Sequence, residues 1–215
     1  MKKIMRKFLY IFALIIALLC GQRVEAQSAD QMVARVTSFF AERADGYRVR
    51  FVVNMEGMDA QRGEYVVAGK KYHIEVMGQE QFSDGLYRYG VDGVNMEVTI
   101  DRIDPESRNL LVNPLRAFDF GGEAFEVSVA GESDTAVGRA VVLHLVPREG
   151  VLDGVRRVVL YALPDDGRPV ELRYDFNGLE LSVQVESVEK LKSVNDKKFQ
   201  FSATEFKNYE IIDFR

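Results

Sequence analysis

The stretch Val170-Glu171-Leu172-Arg173-Tyr174-Asp175-Phe176-Asn177-Gly178-Leu179-Glu180-Leu181-Ser182-Val183-Gln184-Val185-Glu186 decides the fold. Val170, Leu172, Tyr174 and Phe176 alternate with Glu171, Arg173 and Asp175. After Asn177-Gly178 the alternation resumes, with Leu179, Leu181, Val183 and Val185 set against Glu180, Ser182, Gln184 and Glu186. A period of two places one set of side chains on a buried face and the other on a wet face. Asn-Gly supplies the two positive-φ residues that a type I′ turn needs, so the stretch is predicted to be a tight hairpin. Its sheet is antiparallel, with a single apolar side.

Outward from this hairpin the same period recurs. Tyr47, Val49, Phe51, Val53 and Met55 alternate with Arg48, Arg50 and Asn54, and Tyr72, Ile74 and Val76 alternate with His73 and Glu75. Further strands are predicted over 63–68, 86–89, 94–100, 124–129, 140–146 and 155–163. Turn signals separate them at Ser83-Asp84-Gly85, Asp92-Gly93, Asp153-Gly154 and Asp165-Asp166-Gly167. Near the start the period is 3.6: Met32, Val33, Val36, Phe39 and Phe40 form one stripe behind a Ser28/Gln31 capping box. This helix is predicted to end near Asp45-Gly46, with the glycine as a left-handed cap. About ten strands, each apolar on one side, must curl into a complete or partial barrel. The only helical material to cover its inside is this helix and the segment 104–118. The fold class is mainly β (α+β), one curved sheet with helices on its concave face.

At the N-terminus, Lys2, Lys3, Arg6 and Lys7 precede an apolar run from Phe8 to Leu19, with Val24-Glu25-Ala26 behind it. This is the pattern of a signal peptide cut after Ala26, leaving residues 27–215 as a single exported domain. An uncleaved anchor and a lipid-modified Cys20 are the alternatives. Leu19 stands where acylated cysteines are normally preceded by Gly, Ala or Ser. Residues 27–215 contain no cysteine, which excludes thiol and disulfide chemistry there. The first 26 residues hold five basic residues and one acidic, so subtracting that +4 from the net −5 of the chain leaves −9 for the domain. Such acidity argues against nucleic acid and anionic headgroups as partners.

Motifs for chemistry are sparse. His73 and His144 are the only histidines, on separate strands, and no zinc-ligand spacing, nucleophile elbow, P-loop or dinucleotide fingerprint is present. His73 falls on the polar side of its strand and His144 within an apolar strand. Asp165-Asp166-Gly167 lacks the alternating acidic ligands of a calcium loop. Asp101 and Asp104 are the nearest approach to an acid–base pair. No cofactor, no metal and no enzyme activity are expected.

Several fragments in order resemble one family. They are the N-terminal helix, Gly63-Glu64-Tyr65, Gly69-Lys70-Lys71-Tyr72-His73-Ile74-Glu75, Phe82-Ser83-Asp84-Gly85 with Tyr89, and Asn113-Pro114 up to Phe118. Val158–Tyr161, Arg168-Pro169, Phe199-Gln200-Phe201 and Glu210-Ile211-Ile212-Asp213-Phe214-Arg215 complete the set. Nearly all of residues 27–215 thus resembles the outer-membrane lipoprotein carrier (LolA-like) family, most closely its Bacteroidetes-type branch. The resemblance implies an unclosed antiparallel β-barrel, of about ten to eleven strands here, with a helical lid over the concave face. It also implies a periplasmic carrier that binds lipoprotein acyl chains and shuttles them from an inner-membrane release complex to an outer-membrane acceptor. Proteobacterial members latch the lid with an arginine where this chain has Ala68, and the tryptophan that follows their Asp-Gly motif is absent, Tyr89 being the nearest aromatic.

On this reading Phe51, Val53, Ile74, Leu172, Tyr174, Leu181 and Val183 line an acyl cavity. Met32, Val33, Val36, Phe39 and Phe40 form one lid face, and Leu110, Leu111, Leu115 and Phe118 another. The occupant is a lipoprotein acyl chain or another amphiphile, and the protein is expected to act as a monomer. A second reading, a lipid- or lipoprotein-sensing interaction module, uses the same fold, and a secreted hydrolase is a third. Whether the concave face is open or filled by its own side chains distinguishes the first two.

Overall fold

The computed structural model describes residues 28–110 and 112–215; the segment 1–26 expected to be a signal peptide, with Cys20, and Leu111 lie outside the described residues. One sheet carries the molecule. Its strands are β1 (Tyr47–Met55), β2 (Gln61–Ala68), β3 (Lys71–Val76), β4 (Gln79–Ser83), β5 (Tyr87–Asp92), β6 (Glu97–Arg102), β7 (Phe125–Thr135), β8 (Gly138–Pro147), β9 (Val155–Ala162), β10 (Pro169–Phe176), β11 (Leu179–Lys190) and β12 (Glu210–Asp213). The spatial order is β12-β6-β5-β4-β3-β2-β1-β11-β10-β9-β8-β7, so the two edges, β12 and β7, do not meet. Every pairing is antiparallel except β12 on β6, which is parallel. The sheet has twelve strands among the described residues, where about ten to eleven were expected.

The deciding hairpin forms as its sequence requires. Tyr174 pairs with Leu181 and Leu172 with Val183, and Asn177 (φ 53) and Gly178 (φ 100) make the turn in the left-handed region. The sheet curls strongly. β3 and β10 are four strand spacings apart, about 19 Å along a flat sheet, yet residues of both line one cavity.

The core fills the concave side. The α-helix α1 (Ala29–Ala41) starts on the predicted capping box, Ser28 and Gln31 exchanging hydrogen bonds of 3.2 Å in both directions. Its stripe Met32, Val33, Val36, Phe39 and Phe40 is buried in one core with Tyr47, Val49, Leu143, Leu145, Leu160 and Leu172. The helix ends at Ala41, before the predicted Asp45-Gly46, and Gly46 is not left-handed. A glycine stands there for space instead, since a Cβ would meet Val194 Cγ2 at 2.8 Å. A similar close approach seats the helix from outside: a Cβ on Gly167, in the β9–β10 turn, would lie 2.5 Å from the Arg35 backbone.

The expectation of a single apolar face fails over β3–β6. There the convex face carries a second core of Phe82, Tyr89, Val91, Val98 and Ile100, covered by Phe206, Phe201 and Tyr209 from the C-terminal segment. His73 belongs to this covered face. It is only 8% exposed, its Nε2 is 2.7 Å from Glu80 Oε1, and its ring stacks on Phe82 at 6.3 Å. His144 alternates with the buried Leu143 and Leu145 and is half-buried on the outer side.

Candidate functional site

On the concave side, α1 fills one part of the half-barrel and leaves another part empty. The empty part is a cavity of about 340 Å³, at the small end of the range for ligand pockets. All seven residues predicted to line a cavity surround it: Phe51 and Val53 from β1, Ile74 from β3, Leu172 and Tyr174 from β10, and Leu181 and Val183 from β11. Period two and strand register bring them together, because Val53 pairs with Val183, Leu172 with Val183 and Tyr174 with Leu181. Gly63 sits directly opposite Phe51, and a Cβ there would be 2.5 Å from the Phe51 ring, so glycine gives that ring its place in the wall.

The predicted lid residues divide. Leu110 and Phe118 line the cavity together with Pro114 and Ala117. Leu115 packs against the main core without lining the cavity. Met32, Val36, Phe39 and Phe40 are core residues and do not touch the cavity. The helix is thus a plug, built into the core, and the cover of the cavity is the segment around the short 3₁₀ helix Pro114–Phe118. Proline cannot continue an α-helix from the preceding residues, and within 104–118 the only helical piece among the described residues is this one turn. The two elements meet where Phe40 contacts Phe118, with centroids 4.9 Å apart. Ala68, where the resemblance sets the latch arginine of the proteobacterial carriers, pairs with Lys71 at the end of β2. The covering segment is tied down by Tyr174 instead, whose hydroxyl donates to the Ala117 carbonyl at 2.7 Å.

Residues not anticipated from the sequence complete the lining: Tyr65, Val76, Met77, Gln79, Glu80, Gln81 and Phe176. Tyr65, Val76 and Phe176 were signalled by the same alternation, since each is two residues or one register step from a predicted wall residue. β4 was not. On the cavity face Ile74 is followed across the sheet by Gln81, Gly90 and Thr99, and Val76 by Gln79, Asp92 and Glu97. Tyr72 is followed by Ser83, Arg88 and Asp101, the last two forming an ion pair. The apolar wall therefore gives way to a polar shelf over β4–β6. Met77, which lines the cavity, is 40% exposed.

The tyrosines of the site are held neutral. Burial raises the Tyr174 phenol, and burial followed by the neighbouring Tyr47, Tyr72 and Tyr174 raises Tyr65 well above its ordinary value. Tyr72 is pushed up to about 12 by burial, which outweighs Arg88 and the hydrogen bond that Gln81 Nε2 donates to its hydroxyl at 2.9 Å. Asp101 is engaged by Arg88, and Asp104 accepts the Glu106 amide at 3.0 Å, so these two carboxylates make no working pair. Asp166 accepts the Arg168 amide in the hairpin turn. Among the described residues no three His, Cys, Asp or Glu side chains stand close enough to share a metal ion.

No family model matches the chain, and no curated protein matches its sequence. Solved structures do. The crystal structure of an uncharacterized conserved protein from Thermus thermophilus superposes with a TM-score of 0.59 at 11% identity, covering 86% of this chain and 98% of that one. A putative outer membrane lipoprotein-sorting protein domain from Vibrio parahaemolyticus aligns at TM-score 0.46 and 10% identity, over 83% of this chain and 99% of that one. A LolA superfamily protein from Nitrosomonas europaea aligns at 0.41 and 11%, over 82% and 99%. What the chain shares with the Thermus structure is its fold, and that fold is the one implied by the resemblance to the outer-membrane lipoprotein carriers: an unclosed, mostly antiparallel half-barrel with a helix against its concave face.

Proposed function

We propose that this protein is a periplasmic carrier that binds the acyl chain of a lipoprotein, or of another amphiphile, and shuttles it towards the outer membrane without a catalytic step. The observation that carries this reading is the 340 Å³ cavity with an apolar wall on one side and a polar shelf on the other. Each methylene taken from water into such a wall contributes about 0.8 kcal/mol, and the shelf of Gln79, Gln81 and their cross-strand neighbours leaves a polar head solvated. The interaction-module reading calls for a concave face filled by its own side chains, so the open cavity favours the carrier.

A carrier must also let go. Release is strongest where a segment of the protein can take the occupant's place. Leu110 and Phe118 are suited to this, being apolar, half-buried and on a short irregular segment. Their collapse into the cavity competes with cargo, so net affinity is the difference between two burial terms. α1 contributes no such motion in this scheme, because its apolar stripe is already spent on the core. No nucleotide motif is present in the sequence, and loading energy comes from a partner in the donor membrane.

Mass spectrometry of lipid extracted from the natively purified protein tests the reading. Acyl lipid at close to one molecule per chain is expected. Protein that is free of lipid, and that takes up none from lipid vesicles, contradicts it.

A further inference from the structure

Four tyrosines crowd the concave side around the cavity: Tyr47, Tyr65, Tyr72 and Tyr174. Tyr65 lies 6.4 Å, centroid to centroid, from both Tyr47 and Tyr72. The Tyr174 hydroxyl is spent on the Ala117 carbonyl and the Tyr72 hydroxyl is engaged by Gln81. The Tyr65 hydroxyl has no hydrogen-bond partner, and the residue is 2% exposed. Among the described residues, of the buried side-chain polar atoms without a partner, this hydroxyl alone belongs to a residue lining the cavity. A buried hydroxyl left unpaired is a standing cost, whereas pairing it with an oxygen removes that cost.

We propose that Tyr65 is the polar anchor of the cavity: its hydroxyl donates a hydrogen bond to a carbonyl or carboxyl oxygen of the occupant, so that the site selects acyl compounds over plain hydrocarbon. The inference rests on the acyl-binding reading and adds the group that recognises the acyl oxygen. Burial favours the protonated phenol, which is the form that donates a hydrogen bond. Phe118 covers the ring, stacked at 6.2 Å and 25°, and itself lines the cavity. The occupant's oxygen reaches the hydroxyl when Phe118 gives way, which couples anchoring to displacement of the covering segment. A hydrocarbon without an oxygen displaces Phe118 yet leaves the hydroxyl unpaired, and so gains less.

The test uses Tyr65→Phe, which keeps the ring and deletes only the hydroxyl. Wild type and variant are loaded with diphenylhexatriene, a neutral apolar fluorophore, and titrated with decane, methyl decanoate and decanoate. Wild type is expected to prefer an acyl competitor to decane by about fivefold more than the variant does, and the ester and carboxylate arms identify which acyl oxygen is read. The ligand-free variant is expected to be at least as stable as wild type in urea. An unchanged acyl-to-decane ratio, or a ligand-free variant less stable than wild type, overturns the anchor. Failure of the wild type to take up diphenylhexatriene at all overturns the acyl-binding reading and the anchor with it.

Discussion

The Tyr174 hydroxyl reaches from β10 across the concave face to the carbonyl of Ala117, 57 residues earlier, and closes a 2.7 Å hydrogen bond. It is the fastening between the wall of the cavity and its cover. A neutral hydrogen bond of this kind contributes about 1 kcal/mol net. Tyr174→Phe keeps the buried ring and removes the fastening, leaving the Ala117 carbonyl to water or to the cavity. Urea denaturation is expected to record a loss of about 1 kcal/mol, while stopped-flow uptake of an apolar fluorophore becomes faster. An uptake rate equal to that of wild type contradicts a cover held by this bond.

In this structure α1 is built into the core as a plug, and a plug and a hinged lid have different energetic signatures. Phe40 sits between Tyr47 and Phe118 with centroids 5.4 and 4.9 Å away and is 9% exposed. Phe40→Ala opens a void in the core and is expected to cost about 3–5 kcal/mol in equilibrium unfolding. Leu110→Ala, on the half-buried cavity rim, is expected to cost about 1 kcal/mol or less and to raise probe affinity. A cost for Phe40→Ala no larger than that for Leu110→Ala contradicts a helix built into the core.

The buried phenols set an alkaline limit. In an unfolded chain tyrosine ionises near pH 10. In the folded chain Tyr72 is pushed up to about 12, by burial first, and Tyr65 and Tyr174 are raised as well. Because the folded values are raised, the folded state holds these protons more tightly. Their contribution is complete below about pH 10 and is lost as pH rises towards and through about 12. A spectrophotometric titration is expected to release the buried tyrosinates late, in step with loss of far-ultraviolet circular dichroism. Ionisation of all tyrosines near pH 10 with the fold intact contradicts this.

Much of the molecule is legible in the sequence because period two survives wherever a strand has a wet and a dry face. That condition holds along β1, β10 and β11, so the alternation alone assigns Phe51, Val53, Leu172, Tyr174, Leu181 and Val183 to one wall. It breaks down in Gln79-Glu80-Gln81-Phe82-Ser83. Here the cavity face is polar and Phe82 points to the convex side, under Phe206. The strand has no apolar alternation of its own to betray it, and its Met77-Gly78 turn carries no Asn-Gly or Asp-Gly signal, although both residues adopt positive φ. The covering role of Phe201 and Phe206 is illegible for a related reason: a long-range contact made by an irregular segment leaves no period. α1 illustrates a third limit. Its stripe shows that one face is buried, but a stripe is the same whether it fills a core or closes over a ligand. Only the position of Met32, Val36, Phe39 and Phe40 away from the cavity decides between them.

The most direct measurement is a fluorescence titration of the protein with parinaric acid, run beside Leu181→Trp. Leu181 is a half-buried wall residue, and an indole there occupies the cavity while changing stability by only about 1 kcal/mol. Wild type is expected to saturate with one fatty-acyl chain per molecule, and Leu181→Trp, equally folded by circular dichroism, to bind at least about tenfold more weakly. Binding that is absent in wild type, or unchanged in Leu181→Trp, would show that the half-barrel cavity does not carry acyl chains.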